Sequence, residues 1–258
     1  MRIAPSHPKL EGATFVVTRP AGTSAALVRR LRGLGARALA IPGLSLQPSE
    51  HDPRAVRKVG YEDWIFTSPA AVRFGAGLLP PRRARARLRA YAVGDGTARA
   101  LARHGVTAAI PHDRSDSEGL LALPELKRVR GRRIALVGAP GGRDLIAPTL
   151  RRRGAKVEAI HVYRRVPPRL TRRHFDALAA ARDPLITLVS SGEALTHLVA
   201  LLPPPALARL RAQILVVSSA RLVAFARDHA FAQIALARSA APRDLIAAAA
   251  AALARHRL

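Results

Sequence analysis

Hydroxyl side chains recur in this chain at one kind of place, the point where a short apolar run breaks and a helical pattern begins. Thr18, Ser68, Thr97, Ser117, Ser191 and Ser219 all stand at such turns. The ordinary role of any one of them is a helix N-cap, with the side-chain oxygen accepting a free backbone N–H at a gain of about 1 kcal/mol. Together, at the strand ends of an α/β sheet, they would offer hydroxyls and unpaired N–H groups to anionic groups. Many modest carboxylate contacts would result, with no dominant one. Tyr163 is different: it ends the run Val157 to Tyr163 just before Pro167-Pro168. A phenol there can donate a proton to a leaving group, or simply brace the segment as a half-buried ring.

Other chemistries lack their residues. Gly94-Asp95-Gly96-Thr97-Ala98-Arg99 has Arg where a dinucleotide fingerprint needs Gly or Ala, and Gly138 to Arg143 lacks the Gly-Lys-Ser/Thr ending of a phosphate loop. The nine His form no HExxH pair, no GxSxG elbow is present, and there is no Cys. Neither nucleotide motif is met, and a bound metal or a serine hydrolase is not expected from these residues. A cysteine-free chain fits a reducing cytoplasm. The longest apolar run, Leu245 to Ala254, is too short for the ~20 residues of a membrane span.

The elements that position these hydroxyls alternate between strand and helix. Thr14 to Val17 reads as a strand, and the spacing of Ala25, Leu27, Val28, Leu31 and Leu34 reads as a helix that ends at Gly33 and Gly35. Trp64 to Phe66, Ala90 to Val93, Arg133 to Val137, Leu185 to Val189 and Ile214 to Val217 are further strands, each followed by a helical pattern. Such alternation argues for mainly parallel sheets flanked by helices. The two halves echo one another. Phe66-Thr67-Ser68 and Val189-Ser190-Ser191 lie 123 residues apart, and Leu34-Gly35-Ala36 resembles Arg153-Gly154-Ala155 119 residues on. The chain reads as a duplicated α/β half, and 258 residues accommodate two such lobes.

A net charge of +26 raises the question of nucleic acid. Of 43 basic residues only four are Lys, and the clusters at Arg82 to Arg89 and Arg151 to Arg153 lack interleaved aromatics for base stacking. Solvated helix faces explain them more simply, so no specific nucleic-acid partner is expected. The excess still steers any small polyanion toward the protein.

The ordered set Thr18-Arg19-Pro20, Phe66-Thr67-Ser68, Ala92-Val93-Gly94 with Thr97-Ala98, Ser117-Glu118-Gly119-Leu120-Leu121, Gly141-Gly142-Arg143, Arg153-Gly154-Ala155 and Val162-Tyr163-Arg164-Arg165 resembles the uroporphyrinogen-III synthase family. The resemblance spans nearly the whole chain from about Thr14. It implies one discontinuous lobe from residues 1–37 and 168–258, a second lobe from 48–156, and two extended linkers at 38–47 and 157–167. It implies a cofactor-free cyclisation of hydroxymethylbilane, a linear tetrapyrrole octacarboxylate, with inversion of the last ring and loss of water. It further implies that Tyr163 assists the departing hydroxyl and that Thr18, Arg19, Ser68, Thr97, Ser117, Arg143, Ser191 and Ser219 bind substrate, in a cytoplasmic monomer. A non-catalytic two-lobe protein that binds an anionic ligand or nucleic acid is the alternative that charge and architecture alone would allow. One departure from the family pattern is local: Asp228-His229-Ala230 lacks the glycine usual after that helix.

Overall fold

A computed structural model describes residues 10–111, 114, 116–141 and 145–256. In chain order the elements are β1 (Thr14–Val17), α1 (Ala25–Gly33), β2 (Arg37–Ala40), β3 (Ser45–Pro48), α2 (Pro53–Lys58), β4 (Asp63–Phe66), α3 (Pro69–Gly75), β5 (Arg89–Ala92), α4 (Asp95–Ala102) and β6 (Ala108–Ala109). There follow α5 (Ser117–Ala122), α6 (Pro124–Lys127), β7 (Arg133–Gly138), α7 (Ile146–Arg152), β8 (Lys156–His161), β9 (Tyr163–Val166), α8 (Arg172–Ala179) and β10 (Leu185–Val189). The chain closes with α9 (Gly192–Leu201), α10 (Pro204–Ala212), β11 (Ile214–Val217), α11 (Ala220–Asp228), β12 (Gln233–Leu236) and α12 (Pro242–His256).

The chain divides into two compact units, residues 1–46 with 166–258, and residues 47–165. Each holds one five-stranded parallel sheet, in the order β12-β11-β10-β1-β2 in the first unit and β6-β5-β4-β7-β8 in the second. Substituting β10-β11-β12 for β4-β5-β6, and β1-β2 for β7-β8, turns one order into the other. The internal echo in the sequence is therefore an echo of topology. Registers agree as well: Phe15 pairs with Ala38 and Ile134 with Val157, while Phe15 pairs with Ile186 and Ile134 with Asp63. The central strands β1, β4 and β10 are buried on both faces, as helices covering both sides of a parallel sheet require.

The chain passes between units within β3 and β9, which pair as a two-stranded sheet. The crossing is shorter than the linkers expected at 38–47 and 157–167, because β2 and β8 are full members of the parallel sheets. Pro42 lies just after β2, and Pro48 is the last residue of β3. Residues that read as a run into the linker are thus held by strand pairing.

Helix ends show the same duplication. After α1, Gly35 N–H donates to Arg32 O and Ala36 N–H to Leu31 O; after α7, Gly154 donates to Arg151 O and Ala155 to Leu150 O. After α4 the corresponding pair is Gly105 to Ala102 O and Val106 to Leu101 O. Each glycine has a φ between 73° and 85°, the left-handed turn that reverses a chain and satisfies two orphan carbonyls. After α11 the identical pattern is made by Ala230, donating to Arg227 O at 2.9 Å, and Phe231, donating to Ala226 O at 3.1 Å. Ala230 has φ 60°, so an alanine holds a position whose geometry favours glycine.

Many arginines do the same work from the side chain. Arg153 donates to Leu121 O and Leu126 O, where α5 and α6 end, and Arg209 to Leu178 O, Ala179 O and Ala181 O, where α8 ends. Arg85 reaches His104 O beyond α4. Ala230→Gly is expected to relieve the left-handed strain after α11 and to stabilise the fold by about 0.5–1 kcal/mol, the strain removed less the backbone freedom added to the unfolded chain. A urea midpoint at or below the parent value in equilibrium unfolding refutes that account.

Candidate functional site

In each sheet the strand order reverses once. The chain steps outward from β4 through β5 to β6, then returns to the other side of β4 for β7 and β8. In the first unit the reversal falls between β1 and β10. Helices on the two sides of such a point diverge, leaving the carboxyl ends of its strands uncovered. The candidate residues cluster at these ends.

In the second unit β4 runs into Thr67 and Ser68. Thr67 Oγ1 donates across the reversal to Val137 O at 3.3 Å. It can lie there because β7 ends in Gly138, where a Cβ would stand 2.6 Å from Thr67 Oγ1. Ser68, in extended conformation, caps α3 and accepts Ala71 N–H at 3.0 Å, with Pro69 in the first turn where its missing N–H costs nothing. Ser68 Oγ also lies 3.1 Å from the hydroxyl of Tyr163, the first residue of β9. The Tyr163 ring, 6% exposed, stacks on Phe74 of α3 with centroids 5.5 Å apart and planes inclined by 26°. Gly75 lets α3 approach closely, since a Cβ there would meet Val137 at 3.0 Å and Val162 at 3.4 Å.

Thr97 lies on the next strand end. It is the third residue of α4, 4% exposed, and the neighbouring Gly96 faces Pro69. Ser117 begins α5 but does not cap it. Asp116 does, accepting Gly119 N–H at 2.9 Å, and Gly119 is itself packed against the Arg114 backbone. Arg143 lies outside the described residues.

In the first unit Thr18 follows β1, and its hydroxyl donates across the reversal to Leu188 O at 2.7 Å, in the opposite sense to the Thr67 bond, which starts from the strand equivalent to β10. At 3% exposure Thr18 holds strands together, and its proton is already placed. Arg19 crosses the strand ends to Ala240 O at 3.2 Å, and burial pulls its guanidinium below the ordinary value. Ser191 caps α9, accepting Ala194 N–H at 3.5 Å, and Ser219 holds the cap position of α11 without a side-chain cap bond. Ser191, Ser219 and Thr18 thus end β10, β11 and β1, three adjacent strands.

Charged groups elsewhere in the second unit serve the fold. Asp63, fully buried at the start of β4, takes Arg132 at 2.7 Å and Arg89 at 3.1 Å; burial raises its carboxyl, and the two arginines pull it back. An open depression of about 580 Å³, lined by residues including Tyr61, Arg133, Arg151 and Lys156, adjoins the starts of β7 and β8, away from Ser68. Burial and then Glu158 push the Tyr61 phenol up. Among the described residues no group of three or more His, Asp or Glu is placed to hold a metal ion, and no helix is long and apolar enough to cross a membrane.

A family profile described as Uroporphyrinogen-III synthase HemD matches residues 25–247. The chain belongs to the uroporphyrinogen-III synthase family. Uroporphyrinogen-III synthase of Escherichia coli is 35% identical over 243 residues, covering 88% of this chain and 96% of the relative, and that of Salmonella typhimurium is 33% identical with the same coverage. Uroporphyrinogen-III synthetase from Helicobacter pylori has the same fold at a TM-score of 0.60 and 14% identity, covering 93% of this chain and 99% of the other. A variant of the Thermus thermophilus enzyme aligns at a TM-score of 0.55 and 18% identity, covering 94% and 99%.

Sequence reasoning missed Phe74, Thr67 and Gly138 as parts of this family member's candidate site. Gly138 drew notice only as part of a failed phosphate loop, though a glycine closing a strand beside a Thr-Ser turn was the available signal. Gly138→Ala is expected to cost about 1–3 kcal/mol, the usual range for overpacking, because the added methyl must displace Thr67. Denaturant unfolding that matches the parent within error would show that Thr67 is not held there.

Proposed function

We propose that the chain cyclises hydroxymethylbilane to uroporphyrinogen III, inverting ring D and releasing water, as a cofactor-independent lyase acting on its own as a cytoplasmic monomer. Family membership carries this reading, and the 35% identity to the Escherichia coli synthase over nearly its whole length supports it. The strand-end hydroxyls supply a physical rationale for it. An octacarboxylate is bound by many donors of modest strength, and Thr97 and Ser117 in the second unit, with Arg19, Ser191 and Ser219 in the first, are candidates for that role.

The reaction needs little covalent help. Loss of the terminal hydroxyl gives an azafulvene, attack at the substituted position of ring D gives a spiro-pyrrolenine, and reopening with reclosure turns that ring round. Free substrate closes unaided to the uninverted isomer, so the protein's task is to hold the chain in one geometry and ease departure of hydroxide. Tyr163 is assigned the second task. Its oxygen lies beside Ser68 at a strand end, and its ring is braced by Phe74. The charge-based alternative is weakened where Arg85, Arg153 and Arg209 spend donors on backbone carbonyls.

Protein free of added metal and nucleotide should shift the product of enzymatically generated hydroxymethylbilane from the type I to the type III isomer. Isomer analysis of the oxidised porphyrins checks this, and a mixture equal to the enzyme-free control refutes the reading. Tyr163→Phe should slow single turnover by less than the ~10²-fold lower end typical of a lost general acid, because the leaving group departs readily. The product should remain type III. A parent rate on folded protein would return Tyr163 to a bracing role.

A further inference from the structure

We propose that Ser68 is a positioning residue that acts on the reaction through Tyr163, giving its hydroxyl proton to the phenol oxygen so that the phenol proton is free for the leaving hydroxyl. The proposal rests on the function assigned above. Its first support is the hydrogen-bond geometry around Ser68 Oγ, which has one lone pair already taken and a phenol oxygen within reach of its proton. Ala71 N–H can only donate, and it occupies one lone pair of Ser68 Oγ at 3.0 Å. Ser68 then has a proton to place, and Tyr163 Oη lies 3.1 Å away. Tyr163 itself is only 6% exposed. With Ser68 as donor, the chain runs Ala71 N–H to Ser68, Ser68 O–H to Tyr163, and Tyr163 O–H outward.

A second support is that one short element serves the phenol three times. α3 provides the Ala71 N–H that fixes Ser68, the Phe74 ring under Tyr163, and at Gly75 the close approach to Val162, the residue preceding Tyr163. The duplicated unit supplies the third support. Counting from the equivalent registers, Ser191 corresponds to Ser68, Ala194 to Ala71, His197 to Phe74 and Leu44 to Tyr163. There the serine still accepts the backbone N–H at 3.5 Å, the histidine donates to Gly43 O at 2.8 Å, and a buried leucine replaces the phenol. Capping needs no phenol, so the Ser68–Tyr163 contact is an addition confined to one unit.

In the step itself, the C–O bond of the hydroxymethyl group breaks with its electron pair leaving on oxygen, and the pyrrole nitrogen lone pair fills the vacated carbon. Tyr163 transfers its proton to that oxygen, forming water. The phenolate keeps the O–H pair and takes a charge-assisted bond from Ser68. The proton lost when the newly bonded pyrrole carbon regains aromaticity restores the phenol.

The test compares kcat and KM for Ser68→Ala, Ser68→Gly, Ser68→Thr, Tyr163→Phe and the double variant Ser68→Ala/Tyr163→Phe, each checked for folding. Glycine is nearly as good an N-cap as serine, so Ser68→Gly removes the hydroxyl with little damage to α3. The expected result is a several-fold lower kcat with KM within twofold for Ala and Gly, recovery in Thr, and a double variant no slower than Tyr163→Phe. The Tyr163 13Cζ resonance, identified by its absence from Tyr163→Phe, should move in Ser68→Gly and return in Ser68→Thr. A raised KM with unchanged kcat, losses that multiply in the double variant, or an unmoved resonance each overturns the proposal while leaving Tyr163 catalytic. A parent rate in Tyr163→Phe overturns both, and a type I product from the parent protein overturns the function beneath them.

Discussion

A parallel sheet whose strand order reverses in its middle must open at that point, because right-handed crossovers on either side carry their helices to opposite faces. Here that constraint operates twice, between β1 and β10 and between β4 and β7. The strand ends at each reversal cannot be covered by a helix of their own sheet, so their backbone groups must be satisfied by side chains or by ligand. Thr18 and Thr67 answer that need, each spanning the reversal to a carbonyl of the neighbouring strand. Ser68 and Ser191 do the same for backbone N–H groups at the helix starts. A hydroxyl-rich pair of strand ends is thus partly what the topology demands of any sequence that adopts it.

That overlap explains what could be read in advance. Helix starts at Ser68 and Ser191 and helix ends at Gly35, Gly105 and Gly154 are local signals, fixed within one turn of chain, and the offset between halves is read by comparing them. The alternating strand and helix pattern carried the fold class for the same reason. Ser117 was misplaced as a cap because Asp116, one residue earlier, competes for the same N–H with a carboxylate, and spacing cannot rank the two. β2 and β8 ran into the expected linkers because an edge strand paired on one side resembles an extended connection. The contact between Ser68 and Tyr163 joins residues 95 apart in sequence, and no periodicity encodes it. Both residues were candidates, but for separate roles.

The arginine excess shows a different limit. Counted as charge it suggests a polyanionic partner; placed in the fold, much of it is hydrogen-bond donors. A guanidinium offers five N–H groups in a planar fork, so one side chain can satisfy two or three carbonyls where a helix ends, as Arg153 and Arg209 do. Lysine, with a compact and strongly hydrated ammonium, suits this poorly. A chain with 39 arginines and four lysines can therefore carry a large formal charge without that charge being addressed to any ligand.

Duplication separates what the fold requires from what it does not. Both units keep a serine cap after the third strand of their order, a threonine bond across the reversal though from non-equivalent strands, and a left-handed residue after the same helices. The second copy of the last feature persists even where glycine is replaced by Ala230, so the geometry outranks the residue that suits it. Features shared under that pressure say little about chemistry. Differences say more: Leu44 against Tyr163, and His197 hydrogen-bonded to a carbonyl against Phe74 stacked on a phenol. Two frames equal in strand order and register can hold different groups at equivalent points only where the frame does not need them. On that argument the proton donor we propose, Tyr163, is a feature of the second unit alone, and Ser68 is distinguished from Ser191 by the hydroxyl it faces rather than by the helix start each one caps.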